Sequence, residues 1–176
     1  MSNITLLFIN YIFNMIILWI DPWTTTTGFA VIKKEKQEYK LIDYWILSTT
    51  PKIPIADKIL ELWTDIHSII SKYNPDIFSI EKLFFQTNLK TWIDVAQARW
   101  VMLYEAKKVN LIIQEYTPLQ VKKAITWNWK ANKLQLQNAI KMIFKLDWVI
   151  KPDDAADAVW LAYMWWLNSN NISWII

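Results

Sequence analysis

Cysteine is absent from this 176-residue chain. That excludes disulfides and thiolate metal sites, and it fits a cytoplasmic protein. Histidine occurs once, as His67 in the middle of a helical stretch, where it reads as an ordinary surface residue. Glycine also occurs once, although ordinary usage of roughly 7% predicts about 12. Tryptophan has the opposite anomaly, with 13 copies. Several of these stand where glycine is expected: Trp23 after Asp-Pro, Trp127 and Trp129 alternating within Thr126–Lys130, and Trp165-Trp166 near a helix end. Glycine suits such places because it reaches positive φ and permits close backbone approach. The expectation is that most of these Trp codons are decoded as glycine in the source organism, through reassignment of a stop codon. A truly tryptophan-rich chain is the alternative.

The length suits one domain with a single sizeable core. The 54% hydrophobic content is inflated by the suspect tryptophans, and the net charge of +3 permits a nucleic-acid partner without demanding one. Ile4 to Ile20 is largely apolar, but it lacks a basic leader and a small-residue cleavage site, and Asn10 and Asn14 interrupt it. No membrane association is expected. Residues 1–14 are read as an extension from a start codon placed too early, with Met15 as the true beginning. A domain over 15–168 and a short polar tail over 169–176 complete the division.

Met15 to Ile20 is a continuous apolar run that reads as a buried central strand. Phe29–Lys33 and Tyr39–Leu47 read as two more strands, forming an antiparallel meander. From Ile55 to Tyr73 apolar residues recur at helical spacing, and Asn74-Pro75-Asp76 stops that helix. Ile77–Ile80 is a second central strand ending at Glu81. A helix over Thr91–Lys108, a strand over Leu111–Gln114 and a helix from Pro118 to Ile125 follow. The next helix covers Ala131–Leu146 with Leu134, Ala139, Ile140 and Ile143 inward, and Pro152 opens the last one, which runs to about Leu167. The order βββ-α-β-α-β-α-α predicts an α/β fold, a mixed sheet with helices on both faces.

Asp21 and Glu81 each end an apolar strand, where a charge is costly unless it binds something. If the two strands are neighbours, both carboxylates emerge at one edge of the sheet. Asp154 and Asp157 stand at i and i+3 on the last predicted helix and share one face. Asp153 reads as a solvated acid in a first helical turn. Four oxygen donors without His or Cys suit hard cations, Mg²⁺ or Mn²⁺.

A strand that ends on Asp21 and runs into Pro22 and a threonine-rich turn is how nucleases of the ribonuclease H type place their first carboxylate. Ile20-Asp21-Pro22, Ile80-Glu81-Lys82-Leu83-Phe84-Phe85, Gln97-Ala98-Arg99, Tyr116-Thr117-Pro118-Leu119-Gln120-Val121-Lys122 and Pro152-Asp153-Asp154-Ala155-Ala156-Asp157-Ala158 resemble the RuvC family of Holliday junction resolvases. The ordered match runs from Met15 to about Leu167. The resemblance implies a ribonuclease H-like mixed five-stranded sheet and an endonuclease that nicks two opposing strands of a four-way junction. It also implies two Mg²⁺ ions held by Asp21, Glu81, Asp154 and Asp157, a homodimer, and a branch-migration helicase as partner. Phe84 or Phe85 would wedge into bases at the junction, with Phe84 favoured and at least one of the two read as core because strand neighbours face opposite sides, while Lys122 and Lys133 would contact phosphate. Arg99 is either structural or a further phosphate contact. The family pattern has glycine at the positions of Trp19, Trp23, Trp45, Trp100, Trp127 and Trp129, in line with the recoding expectation. Another nuclease or transposase of the same fold, and a catalytically dead junction-binding protein should the tryptophans be real, are the rival readings.

Overall fold

A computed structural model describes residues 14–35, 38–83, 89–117, 133–148, 150 and 159. The elements run β1 (Asn14–Asp21), β2 (Thr26–Glu35), β3 (Glu38–Ser48), α1 (Ile55–Tyr73), β4 (Ile77–Glu81), α2 (Leu89–Lys108), β5 (Ile112–Tyr116) and α3 (Lys133–Ile143). The five strands form one mixed sheet in the order β3-β2-β1-β4-β5. β1, β2 and β3 make the expected antiparallel meander, whereas β4 lies parallel to both β1 and β5.

Period-two alternation along the strands divides the core between the two sheet faces. Leu18, Ile20, Phe29, Val31, Phe78 and Ile80 pack with Leu62, Ile66, Ile69 and Ile70 of α1 and with Ala98, Met102 and Ala106 of α2. Met15, Ile17, Trp19, Ala30, Ile32 and Ile77 face the other way, against Ile140 of α3, Phe144, Ile150 and Val159. Because both faces are covered, β1 and β4 read as apolar runs rather than alternating ones.

α1 forms where its apolar spacing predicts it, and its ends have local causes. Asp57 in the first turn and Lys72 in the last suit the helix dipole. Asn74 takes a left-handed conformation at φ 43° and donates to the Ile70 carbonyl at 2.9 Å, closing the helix. Asp76 does more than end the turn. Its carboxylate accepts from the Ile16 amide at 2.8 Å, and its own amide donates to the Ile16 carbonyl at 2.8 Å. Its carbonyl accepts from the Ile112 amide at 3.2 Å, so one residue ties the start of β4 to β1 and to β5.

Three sequence expectations shift. β2 begins at Thr26 rather than Phe29, because Thr26, Thr27 and Gly28 continue the ladder against Ser48, Leu47 and Ile46. β5 runs over Ile112–Tyr116 instead of Leu111–Gln114. Asn110 at φ 59° turns the chain, and the Leu111 amide caps α2 by donating to the Ala106 carbonyl. Leu134 is exposed, not inward. It stands six positions before buried Ile140, which turns it about 120° away around the helix.

Candidate metal and nucleic-acid site

The parallel register of β1 and β4 sets the site. Ile17, Leu18, Trp19 and Ile20 pair with Ile77, Phe78, Ser79 and Ile80. Asp21 and Glu81 are the next residues on strands that lie about 4.8 Å apart. Ile20 and Ile80 point toward α1 and α2, so alternation turns both following carboxylates to the α3 face. Asp21 is 7% exposed. Across the antiparallel ladder it faces Gly28, the chain's sole glycine, whose lack of a side chain leaves room beside the carboxylate.

The turn after Asp21 is closed by hydroxyls. Thr27 Oγ1 donates to the Trp23 carbonyl at 2.6 Å and accepts from the Trp23 amide at 3.4 Å. Thr49 Oγ1 donates to the Thr24 carbonyl at 2.8 Å, and its amide donates to the Thr25 carbonyl at 3.1 Å. The threonines are therefore a brace for the loop that carries Asp21. Among the described residues no tryptophan has positive φ, so the backbone at Trp23 does not itself require glycine. The side chains carry the anomaly instead. Trp19 is fully buried with its indole N–H unpaired, a cost of roughly 1–3 kcal/mol. Trp23, Trp45, Trp100 and Trp148 are largely exposed.

Glu81 is flanked by Tyr116, its register partner on β5, and the Lys82 amide donates to the Tyr116 carbonyl at 2.7 Å. Tyr116 stacks on Trp19 with ring centroids 5.5 Å apart. Burial pushes its phenol up to about 12, so it is neutral, and its hydroxyl donates to Gln114 Oε1 at 2.7 Å. Val159 is helical, fully buried, and joins the same cluster as Trp19 and Tyr116. Asp157 precedes it by two residues in sequence.

Arg99 reaches from α2 to the ends of β4 and β5. Its Nε donates to the Glu81 carbonyl at 3.1 Å, and its Nη2 is ion-paired with Glu115. Lys133 opens α3. Phe84, Phe85, Lys122, Asp153, Asp154 and Asp157 lie outside the described residues. The described part thus brings together two of the four expected acids. No group of three or more His, Cys, Asp or Glu side chains forms a cation site among the described residues. The pair that is described consists of hard oxygen donors on adjacent strands, which fits Mg²⁺ or Mn²⁺.

One polar cluster had no signal in the sequence. Glu105 of α2 is fully buried and accepts from Trp63 Nε1 at 2.8 Å, with His67 Nδ1 at 2.7 Å from its other oxygen. Trp63 and His67 stack at 5.4 Å. Burial raises the Glu105 carboxyl, but bonds from His67 and Trp63 and the charge of Lys108 outweigh it and leave it below its ordinary value. His67 is half-exposed and serves the α1–α2 contact. No helix among the described residues is long and apolar enough to cross a membrane.

Known proteins share this architecture. A family model described as crossover junction endodeoxyribonuclease RuvC matches residues 17–164. The protein of that name from Halothermothrix orenii is 44% identical over 145 residues, covering 82% of this chain and 88% of its own. Its counterpart from Caldicellulosiruptor saccharolyticus is 42% identical over 159 residues, covering 90% and 96%. The structure of Thermus thermophilus RuvC superposes with a TM-score of 0.81 at 22% identity, over 90% of this chain and 98% of that one. The same protein in complex with Holliday junction substrate gives 0.80 at 21% identity, over 89% and 96%. That likeness concerns the fold, which is ribonuclease H-like.

Proposed function

This chain belongs to the RuvC family of crossover junction endodeoxyribonucleases, and from that premise we propose that Asp21, Glu81, Asp154 and Asp157 form its catalytic centre. The enzyme is a divalent-metal nuclease that resolves Holliday junctions in recombination and repair. The observation that supports the site is the β1–β4 register, which puts the Asp21 and Glu81 carboxylates side by side on the face where Val159 packs. Val159, which packs on this face, follows Asp154 and Asp157 by five and two positions in sequence.

Two Mg²⁺ ions held by these acids, or Mn²⁺ in their place, would supply an activated water and charge stabilisation for an in-line phosphodiester displacement. Asp21 would be the shared ligand, with Glu81, Asp154 and Asp157 completing the set. Gly28 leaves room beside the Asp21 carboxylate, and the Thr27 brace fixes its loop. Tyr116, buried and neutral, lies on the same sheet face as the acids. Phe84 stacks on unpaired bases at the junction centre, worth roughly 1–3 kcal/mol per base, with Phe85 beside it. Lys122 and Lys133 neutralise backbone phosphates. A homodimer matches the two-fold substrate with two-fold related sites, and a branch-migration helicase is the partner in the cytoplasm. The working protein carries glycine at most of the positions written as tryptophan, a reading supported by the unpaired buried indole of Trp19.

The test is incubation with a synthetic four-way junction, with and without Mg²⁺. Paired symmetric nicks that need the metal are expected. Metal-independent binding without cleavage would mark a dead junction binder, and cutting of plain duplex or RNA–DNA hybrid would mark another nuclease of the same fold.

A further inference from the structure

Resting on that metal-site reading, we propose that Arg99, held by Glu115, is a positioning residue for Glu81 and not a DNA contact. Glu81 is the last residue of β4. A ligand at a strand end is free to twist unless its main chain is held on both sides. Here the following amide, from Lys82, donates to the Tyr116 carbonyl at 2.7 Å. The Glu81 carbonyl accepts from Arg99 Nε at 3.1 Å. Both groups of the peptide after Glu81 are therefore tied, one to β5 and one to α2.

The guanidinium is itself anchored. Its Nη2 pairs with Glu115 on β5, the register partner of Ile80. A planar fork can donate in two fixed directions at once, which an ammonium on a flexible stem does poorly. Glu115 shares the face of Ile80, toward α2, whereas the Asp21 and Glu81 carboxylates leave the sheet on the opposite face. Arg99 thus lies behind the sheet from the acids, with 12% of its side chain exposed. It acts on the metal ligand through the backbone. Partners that orient a ligand in this way commonly change metal affinity by about 10- to 100-fold when removed.

The test measures Mn²⁺ binding by titration calorimetry on the full chain, with junction binding in the absence of metal and thermal melting measured in parallel. For Arg99→Gln, Mn²⁺ affinity is expected to fall about tenfold, while metal-free junction affinity and its salt dependence stay those of the parent. Glu115→Gln should shift Mn²⁺ binding in the same direction and less, because the Arg99–Glu81 contact survives. Should Arg99→Gln fail to fold, Arg99→Lys retains the charge on Glu115, loses the second donor direction, and still weakens Mn²⁺ binding. Unchanged Mn²⁺ affinity in folded variants, with only a lower melting temperature, would reduce Arg99 to a stability role and overturn the proposal. A salt slope reduced by about one would overturn it in favour of a phosphate contact. A parent that binds no Mn²⁺ would overturn the metal-site reading first, and this proposal with it.

Discussion

Replacing Glu105 by glutamine isolates the polar contact between α1 and α2. The parent carboxylate accepts from Trp63 Nε1 and lies 2.7 Å from His67 Nδ1. Hydrogen bonds to a charged group contribute roughly 1.5–3 kcal/mol each. Glutamine keeps the shape and one carbonyl oxygen but turns an NH₂ toward one of the two partners. Both bonds survive only in weaker neutral form, the oxygen accepting from Trp63 Nε1 and the NH₂ donating to Nδ1 of a neutral His67. The net loss is about 2 kcal/mol, which lowers the Tm of a chain this size by about 4–8 °C. The pH dependence has a definite sign. Glu105 has a folded pKa below its ordinary 4.5, so its contribution is present above that value and disappears as pH falls through the folded pKa. Circular-dichroism melts of parent and variant should therefore differ at pH 6 and converge below about pH 4.5. Equal Tm values at pH 6, or a gap that widens on acidification, would refute the reasoning.

Other outcomes test the remaining parts. Asp21→Asn should cut junction cleavage by about a thousandfold or more, since it removes several kcal/mol of metal-borne stabilisation, while leaving metal-free junction binding intact; full activity would end the site assignment. Glu35→Gln should leave the Tm unchanged, although Lys33 and Lys40 hold that carboxyl down to about 2, because the group is exposed and water screens the pairs; a clear drop in Tm would show those pairs to be structural. Mass spectrometry of the native protein should find glycine at positions 19, 23, 127 and 129, and intact tryptophan there would remove the recoding reading.

What the sequence made legible follows from how local each cause is. The Ile55–Tyr73 helix was readable to the residue because its apolar spacing and the Asn74-Pro75 stop are both local. The strands carrying Asp21 and Glu81 were readable because burial on both faces demands apolar runs. The start of β2 was hidden, since Thr26 and Thr27 join the ladder only through a partner strand on which they meet Ser48 and Leu47. Leu134 misled because one apolar residue in a helix does not specify its face; Ile140 and Phe144 decide it. The partners of Arg99 and Glu105 lie on other elements, so nothing near them in sequence announces a brace or a buried acid. Asp76 looked like a turn residue, yet its carboxylate completes a strand pairing with Ile16.

The parallel pairing of β1 with β4 also governs how the protein comes into being. Between Asp21 and Glu81 the chain carries β2, β3 and α1 before it reaches β4. Such distant pairing is slow, because the loop entropy is spent before the contacts form. During synthesis the first acid leaves the ribosome long before its neighbour, and the segment with Asp154 and Asp157 comes last. On the proposed site, a half-made chain would lack the complete set of acids. On that reading, only a completed chain would cut DNA.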